Sequence, residues 1–486
     1  MPLSQLFQAP DYWLSRLLIT RGIGAIYLIA FIVALNQFPA LLGERGLLPA
    51  PRFIKQVPFE RTPSLFHWRY SDGLLRLTAW IGIVLSAAIV VGLVDAAPLI
   101  VWLLVWLVLW VLYLSIVNVG QTFYAFGWES LLLEAGFFAI FLGPANVAPP
   151  LVVILMFRWL LFRVEFGAGL IKIRGDPCWR ELTCLYYHHE TQPMPNPLSW
   201  FFHNLPRSLH RIEVAGNHFA QLVAPLGLAF PQPISDIAGI VIVVTQLYLV
   251  ASGNFSWLNW ITIFCAISAF DNGAIHAVLP IQVPSLAAPP LWYEVVLLVL
   301  TLLVLYLSYW PARNLISRRQ LMNFSFNPLH LVGAYGAFGA ITRIRYEIVV
   351  EGTAASELGP ATQWLEYEFK GKPGDVRRIP PQIAPYHLRL DWLMWFAAMS
   401  STMEHSWFIP FLMRLLENDR QTLKLLRRNP FPDRAPSYVR ARLYRYRFTT
   451  WRERRETGNW WKRELRGEYV PPVRLRGRDL EARTGN

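Results

Sequence analysis

Arg158, Glu165 and Lys172 recur every seven positions along a largely apolar stretch, a spacing that sets charge in a row. A helix drifts only about 20° per heptad, so all three fall on one face. They stand about 10 Å apart along the axis at 1.5 Å rise per residue. Neighbours in the stripe barely touch, so partners from other helices are required. Charge inside a bilayer is costly, and residues that carry it there turn toward the bundle interior. Glu134, in SLLLEAGF, is the expected partner. Arg163 lies on the same helix but off the stripe and needs a different partner or an aqueous pocket. Two readings stay open, an ion-pair network that fixes helix register and a functional polar site. Lys172, nearest the helix end, also has the reach to snorkel to the interface.

The stripe leads into a loop with chemistry of its own. Phe166 to Pro206 reads FGAGLIKIRGDPCWRELTCLYYHHETQPMPNPLSWFFHNLP. Cys178 and Cys184 can close a small disulfide loop if they face an oxidising compartment; reduced structural thiols are the alternative. A zinc site would need tighter spacing and a second pair of ligands. His188, His189 and His203 lie nearby and read as satisfied polar loop residues rather than ligands, so neither a metal nor a cofactor is expected. The chain has no C-x-x-C, no G-x-S-x-G elbow, no phosphate-binding glycine loop and no H-E-x-x-H. Pro193, Pro195, Pro197 and Pro206 argue against a regular helix there. Cys265, in an apolar run, reads as a buried small hydrophobe.

The elements that must position these groups are membrane helices. Of 486 residues, 54% are hydrophobic and 16% charged, well below the roughly 25% charge of an average soluble domain. Several apolar runs reach the ~20 residues that a span requires, so the protein is read as integral to a membrane. Spans are expected near 22–42, 74–94, 97–118, 130–145, 148–171, 215–231, 235–252, 256–274 and 291–310. The run from Leu77 to Val117 has Asp95 as its only charge and fits two helices hinged near Val94–Pro98. The first apolar stretch, Gly22 to Leu42, reads as a permanent anchor.

After Trp310 basic residues enter and long apolar runs stop. The expected fold is a mainly α polytopic membrane bundle over 1–311, with an extramembrane loop at 172–214, and a C-terminal soluble α+β domain over 312–486. Alternation predicts strands at Arg343–Glu351, Leu365–Phe369 and Tyr444–Phe448. Helical spacing predicts helices at Asp391–Met403, Trp407–Glu417 and Gln421–Arg428. The net charge of +13 lies mostly in this part and suits contact with anionic lipid headgroups. No nucleic-acid recognition motif accompanies it, and no nucleic acid is expected as a partner. The positive-inside tendency would leave this part in the cytoplasm, although long domains translocate largely regardless of charge.

Read in order, the motifs resemble the lipase maturation factor family. The pieces are GLLPA at Gly46–Ala50, FGWESLLLEAGF at Phe126–Phe137, GAGLIKIRGDPCWRELTC at Gly167–Cys184 and HHETQPMPNP at His188–Pro197. SGNFSWLNW at Ser252–Trp260, WLEYEFKGKPGD at Trp364–Asp375 and PYHLRLDWLMWFAA at Pro385–Ala398 continue the likeness. The resemblance implies a multi-span protein of the endoplasmic reticulum membrane whose soluble part faces the lumen. It implies a folding factor, a chaperone rather than an enzyme, that assists the folding and assembly of secreted lipases or similar client proteins. Clients would meet the C-terminal domain, where Trp364, Trp392 and Trp395 read first as ordinary core packing and otherwise as an adaptable apolar surface. They would also meet the loop at Arg174, Asp176, Cys178, Trp179, Cys184, His188 and His189. The end of the sequence, EARTGN, carries no K-D-E-L signal. The preference for Arg over Lys suits a bacterial genome, in which case the inner membrane is the compartment.

A more distant likeness supplies the enzyme alternative. AGLIKI at Ala168–Ile173, followed by Trp179, is similar to the membrane region of vitamin K-dependent gamma-carboxylases. In those enzymes a lysine of this segment acts as a base, which implies that role for Lys172. The carboxylases have two adjacent lysines, whereas Ile171 stands first here.

Overall fold

A computed structural model describes residues 7–477 and 479–482. Runs of Leu, Ile, Val, Ala and Trp find no hydrogen-bond partner in lipid, so their backbone must close its own bonds as helix. Trp13–Leu42 (α1), Asp72–Val91 (α2) and Leu99–Asn118 (α3) come first, then Gly127–Ile140 (α4) and Leu151–Arg174 (α5). Two shorter helices follow, Leu185–Thr191 (α6) and Arg207–His218 (α7). Ile234–Ser252 (α8), Leu258–Ala266 (α9) and Leu291–Ile316 (α10) return to the bundle.

Among the described residues, five helices are long and apolar enough to cross a membrane: Pro10–Leu42, which adds a short turn to α1, with α2, α3, α8 and α10. The protein is an integral membrane protein. Of the nine expected spans, some short or polar enough that the count could fall by two or three, five coincide with these helices. α4 and α9 are too short, at 14 and 9 residues. α5 is long enough at 24 residues but too charged. The segment expected at 215–231 breaks into the end of α7, a π turn at Phe219–Val223 and a stub at Ala224–Gly227. Pro225 explains the break, since it has no N–H to return to the carbonyl of Gln221.

Caps and close contacts set the helix geometry. The Ser71 hydroxyl accepts from the Leu74 N–H at the start of α2, and Gly92 ends that helix at φ +87. Asp95, in the expected hinge, pairs with Arg21 of α1. Gly82 of α2 lies under the Phe31 ring of α1, where a Cβ would come within 2.5 Å of ring carbons.

The C-terminal part is a cap built on a sheet. Its strands are Arg345–Thr353 (β1), Leu365–Glu366 (β2), Glu368–Phe369 (β3), Leu426–Arg428 (β4), Tyr438–Phe448 (β5), Trp461–Arg476 (β6) and Asp479–Ala482 (β7). Helices Arg389–Ala397 (α11) and Phe408–Leu416 (α12) lie between β3 and β4. The sheet order is β2-β1-β5-β6-β7, with β3 and β4 as a separate pair; the pairings are antiparallel.

Four expectations need correction here. β1 is buried on both faces rather than one, because Arg345 at its start donates to the carbonyls of Glu190, Gln192 and Pro193. The strand expected at Leu365–Phe369 is two: Leu365–Glu366 pairs with β1 and Glu368–Phe369 with β4. The helix expected at Gln421–Arg428 stops at Leu423 and gives way to β4. The 16-residue strand β6 was not anticipated, since Pro471, Pro472 and mixed charges hide its alternation.

Cap and bundle share one apolar core, which runs from Ile19 in α1 to Val473 in β6. Buried charge ties the two parts as well. Arg389 of α11 donates to Glu129 of α4 at 2.7 Å and lies over the Tyr124 ring at 3.4 Å.

Candidate functional site

The charge stripe is buried, and each member is held by other elements. Arg158, Glu165 and Lys172 are 7%, 2% and 5% exposed. Arg158 is fully committed: it donates to the carbonyls of Ser268, Leu228 and Ala269 and to the Tyr12 hydroxyl. Glu165 accepts from the Gln246 amide of α8 at 2.6 Å, and Asn259 of α9 donates to the Gln246 carbonyl at 2.6 Å. Lys172 donates to Asn217 Oδ1 at 3.1 Å and Gln221 Oε1 at 2.9 Å. Its ammonium sits 4.7 Å from the centre of the Trp179 ring, an added cation–π attraction. The π turn matters here, because it sets Gln221 beside Lys172 together with Asn217.

Glu134 is not the partner of the stripe. It pairs with Arg163, and both are buried. Arg163 lies on the side of α5 that meets α4, away from the stripe. The Tyr335 hydroxyl and the Gly333 N–H also donate to Glu134, at 2.8 and 3.0 Å. Of this set, Tyr335 also lines the neighbouring cavity.

Glu165 and Lys172 instead face a cavity of about 620 Å³ under the cap. Its wall is mostly apolar and aromatic, and α11 roofs it with Trp392, Trp395 and Phe396. The Trp395 indole is fixed by donation to the Thr191 carbonyl at 3.0 Å. A carboxylate, an ammonium and amides in a greasy chamber of this size are the usual make-up of a small-molecule site.

The loop residues divide by burial. Cys178 and Cys184 are joined as a disulfide with Cα atoms 4.8 Å apart. Cys178, Trp179, Cys184, His188 and His189 are buried. Trp179 donates to the Phe338 carbonyl at 2.8 Å. His188 is stacked on Phe255 and edge-on to Phe338; burial, with the charges of His189 and Lys172, pushes its ring down to about 3. Burial likewise favours neutral His189. Arg174 is exposed and donates to Ser317 and Gln320. Arg343, with help from backbone N–H groups, holds Asp176 at about 2. Trp392 is also buried, at 3% exposed, because it packs edge-on against Trp128. Trp364 is half-buried under Arg440.

Sequence reasoning passed over Asn217, Gln221, Gln246, Asn259, His210 and Glu213. A signal was present for three of them: Gln221, Gln246 and Asn259 are single amides inside apolar runs.

Comparison with known proteins follows the same two-part division. A family model described as the lipase maturation factor transmembrane domain matches residues 14–277. A second, the lipase maturation factor C-terminal domain, matches residues 331–471. Lipase maturation factor 1 of Bos taurus is 42% identical, covering 96% of this chain and 90% of the relative. The Homo sapiens protein of that name is 40% identical over 96% and 88%. Lipase maturation factor 2 of Homo sapiens is 28% identical over 96% and 84%. No solved structure matches the chain. With both halves matched in order and the likeness running nearly end to end, the chain belongs to the lipase maturation factor family.

Proposed function

We propose that this protein is a membrane-embedded maturation factor that assists the folding and assembly of secreted lipases or similar clients. The observation that carries this reading is the near full-length likeness to lipase maturation factor 1, over bundle and cap alike. The endoplasmic reticulum membrane is the compartment we propose, with the cap on the lumenal side. A disulfide in the loop beside the cap fits an oxidising space. Client contact falls on the cap surface, where Phe396, Met399 and Met403 are exposed. Unbranched methionines adapt to irregular apolar partners. The test is co-expression with a secreted lipase in cells that lack their own maturation factor. Secreted lipase activity rises severalfold if the reading holds; unchanged activity, with the protein present in the membrane, refutes it.

One observation favours a second reading, an embedded enzyme with Lys172 as base: the lysine faces a chamber large enough for a small substrate. Lys172→Ala separates the two. It abolishes turnover of an enzyme and leaves the lipase yield of a folding factor largely intact.

A further inference from the structure

His189, on α6, and His210 and Glu213, one turn apart on α7, converge at the extramembrane end of the cavity. One nitrogen from each ring and one carboxylate oxygen all lie within 4.8 Å of one another. His210 Nδ1 stands 2.9 Å from Glu213 Oε2, and His189 Nε2 stands 3.9 Å from the same oxygen. The histidine side chains are 2% exposed and that of Glu213 is 14% exposed.

Hydrogen bonding alone does not satisfy this group. His189 is buried, yet neither of its ring nitrogens has a hydrogen-bond partner. Leaving such a group unsatisfied is costly. His210 Nε2 faces the carbonyl of His203 at 3.4 Å. A carbonyl only accepts, so that nitrogen carries the hydrogen. In the neutral ring, Nδ1 is then a bare lone pair aimed at a carboxylate oxygen. A proton between His210 and Glu213 would relieve that contact but would leave His189 with nothing. A divalent cation between the three would give one His189 nitrogen, the His210 Nδ1 lone pair and the Glu213 oxygen a shared partner.

We propose that His189, His210 and Glu213 bind a divalent transition-metal ion, with zinc as the best fit. Two imidazoles and a carboxylate are a normal zinc donor set. Bonds of about 2.0–2.1 Å in tetrahedral geometry place donors roughly 3.3 Å apart. The two distances to Glu213 fall either side of that value, and the histidine nitrogens, up to 4.8 Å apart, must swing toward each other to close the site. The His203 carbonyl behind His210 orients the ring as outer partners of metal-bound histidines do. Three protein ligands leave one position open. His189 and Glu213 both line the cavity, so that position faces the chamber that holds Lys172 and Glu165. The Tyr248 hydroxyl lines it too, beside Glu213. The ion would offer a Lewis-acid point to an oxygen donor, such as a carboxylate or carbonyl, of whatever the cavity admits. This inference does not depend on the client role proposed above.

The test uses the full chain in detergent, stripped with a chelator and titrated with Co²⁺ as a spectroscopic stand-in for zinc. One equivalent is expected to give intense tetrahedral d–d absorption, which Zn²⁺ then displaces. His189→Ala and Glu213→Gln lose the bands, while a variant at the exposed His276, His276→Ala, keeps them. A second measurement needs no variant: the thermal midpoint of the stripped wild type rises by a few degrees with Zn²⁺ and not with Mg²⁺. A wild type that shows neither bands nor a Zn²⁺ shift overturns the proposal. So does binding that survives His189→Ala unchanged.

Discussion

Glu134 accepts from three donors inside the bundle, the Arg163 guanidinium, the Tyr335 hydroxyl and the Gly333 N–H. Removing one partner of a buried ion pair leaves the other charge stranded, at a cost of about 3–5 kcal/mol. Glu134→Ala is therefore expected to lower the thermal midpoint in detergent sharply, and Glu134→Leu with Arg163→Met to recover most of the loss. His330 offers a pH-dependent test. Its ring is bonded on both sides, to Ser130 and to Asn118, each at 2.9 Å, and burial pushes it down to about 4. The free ring titrates near 6.5. Below that pH the unfolded chain takes up a proton that the folded ring refuses. Stability from this residue is whole above about pH 6.5 and drains as pH falls toward 4. Between pH 7 and pH 5 that amounts to about 2 kcal/mol. Midpoints measured across that range should fall less steeply in His330→Gln than in the wild type. At this scale the stripe was legible because charge in an apolar helix is conspicuous. Its partners were not, since Asn217 and Gln221 stand 45 and 49 positions from Lys172 and only the folded chain brings them close.

Helices that pack closely depend on what is missing from their surfaces. Gly82 leaves room for Phe31, so Gly82→Leu should force α2 off α1. Overpacking costs about 1–3 kcal/mol or more, read as a lower midpoint or loss of expression. The Cys178–Cys184 bond closes a short loop, for which chain entropy gives about 2 kcal/mol. Cys178→Ser with Cys184→Ser should lose that much. Because both residues are buried, the loss should reach client yield through stability and not through a lost contact surface. The legibility of each element followed its environment. The hinge at Asp95 and the positions of β1 and β5 could be read from periodicity. β6 could not, because Pro471 and Pro472 interrupt it and its charges occupy both faces of an exposed sheet. The break after α7 needed Pro225 to be weighed against the apolar run around it.

For the whole molecule, the composition break after Trp310 was plain, while the degree of fusion across it was not. Arg345 meets carbonyls of the 190–193 segment, and Arg389 meets Glu129 and the Phe123 carbonyl. Residues 312–486 made alone should therefore fail to fold, seen as absent near-ultraviolet dichroism and rapid proteolysis; a stable, protected fragment would contradict the shared core. Glu129 adds a consequence for biogenesis. The ribosome delivers it early, in the first half of the chain, and delivers Arg389 near the end. Throughout that interval the acid has the Tyr113 hydroxyl as a donor but lacks its cation. A chain that stops short of Arg389 is therefore expected to strand this carboxylate without a counter-charge.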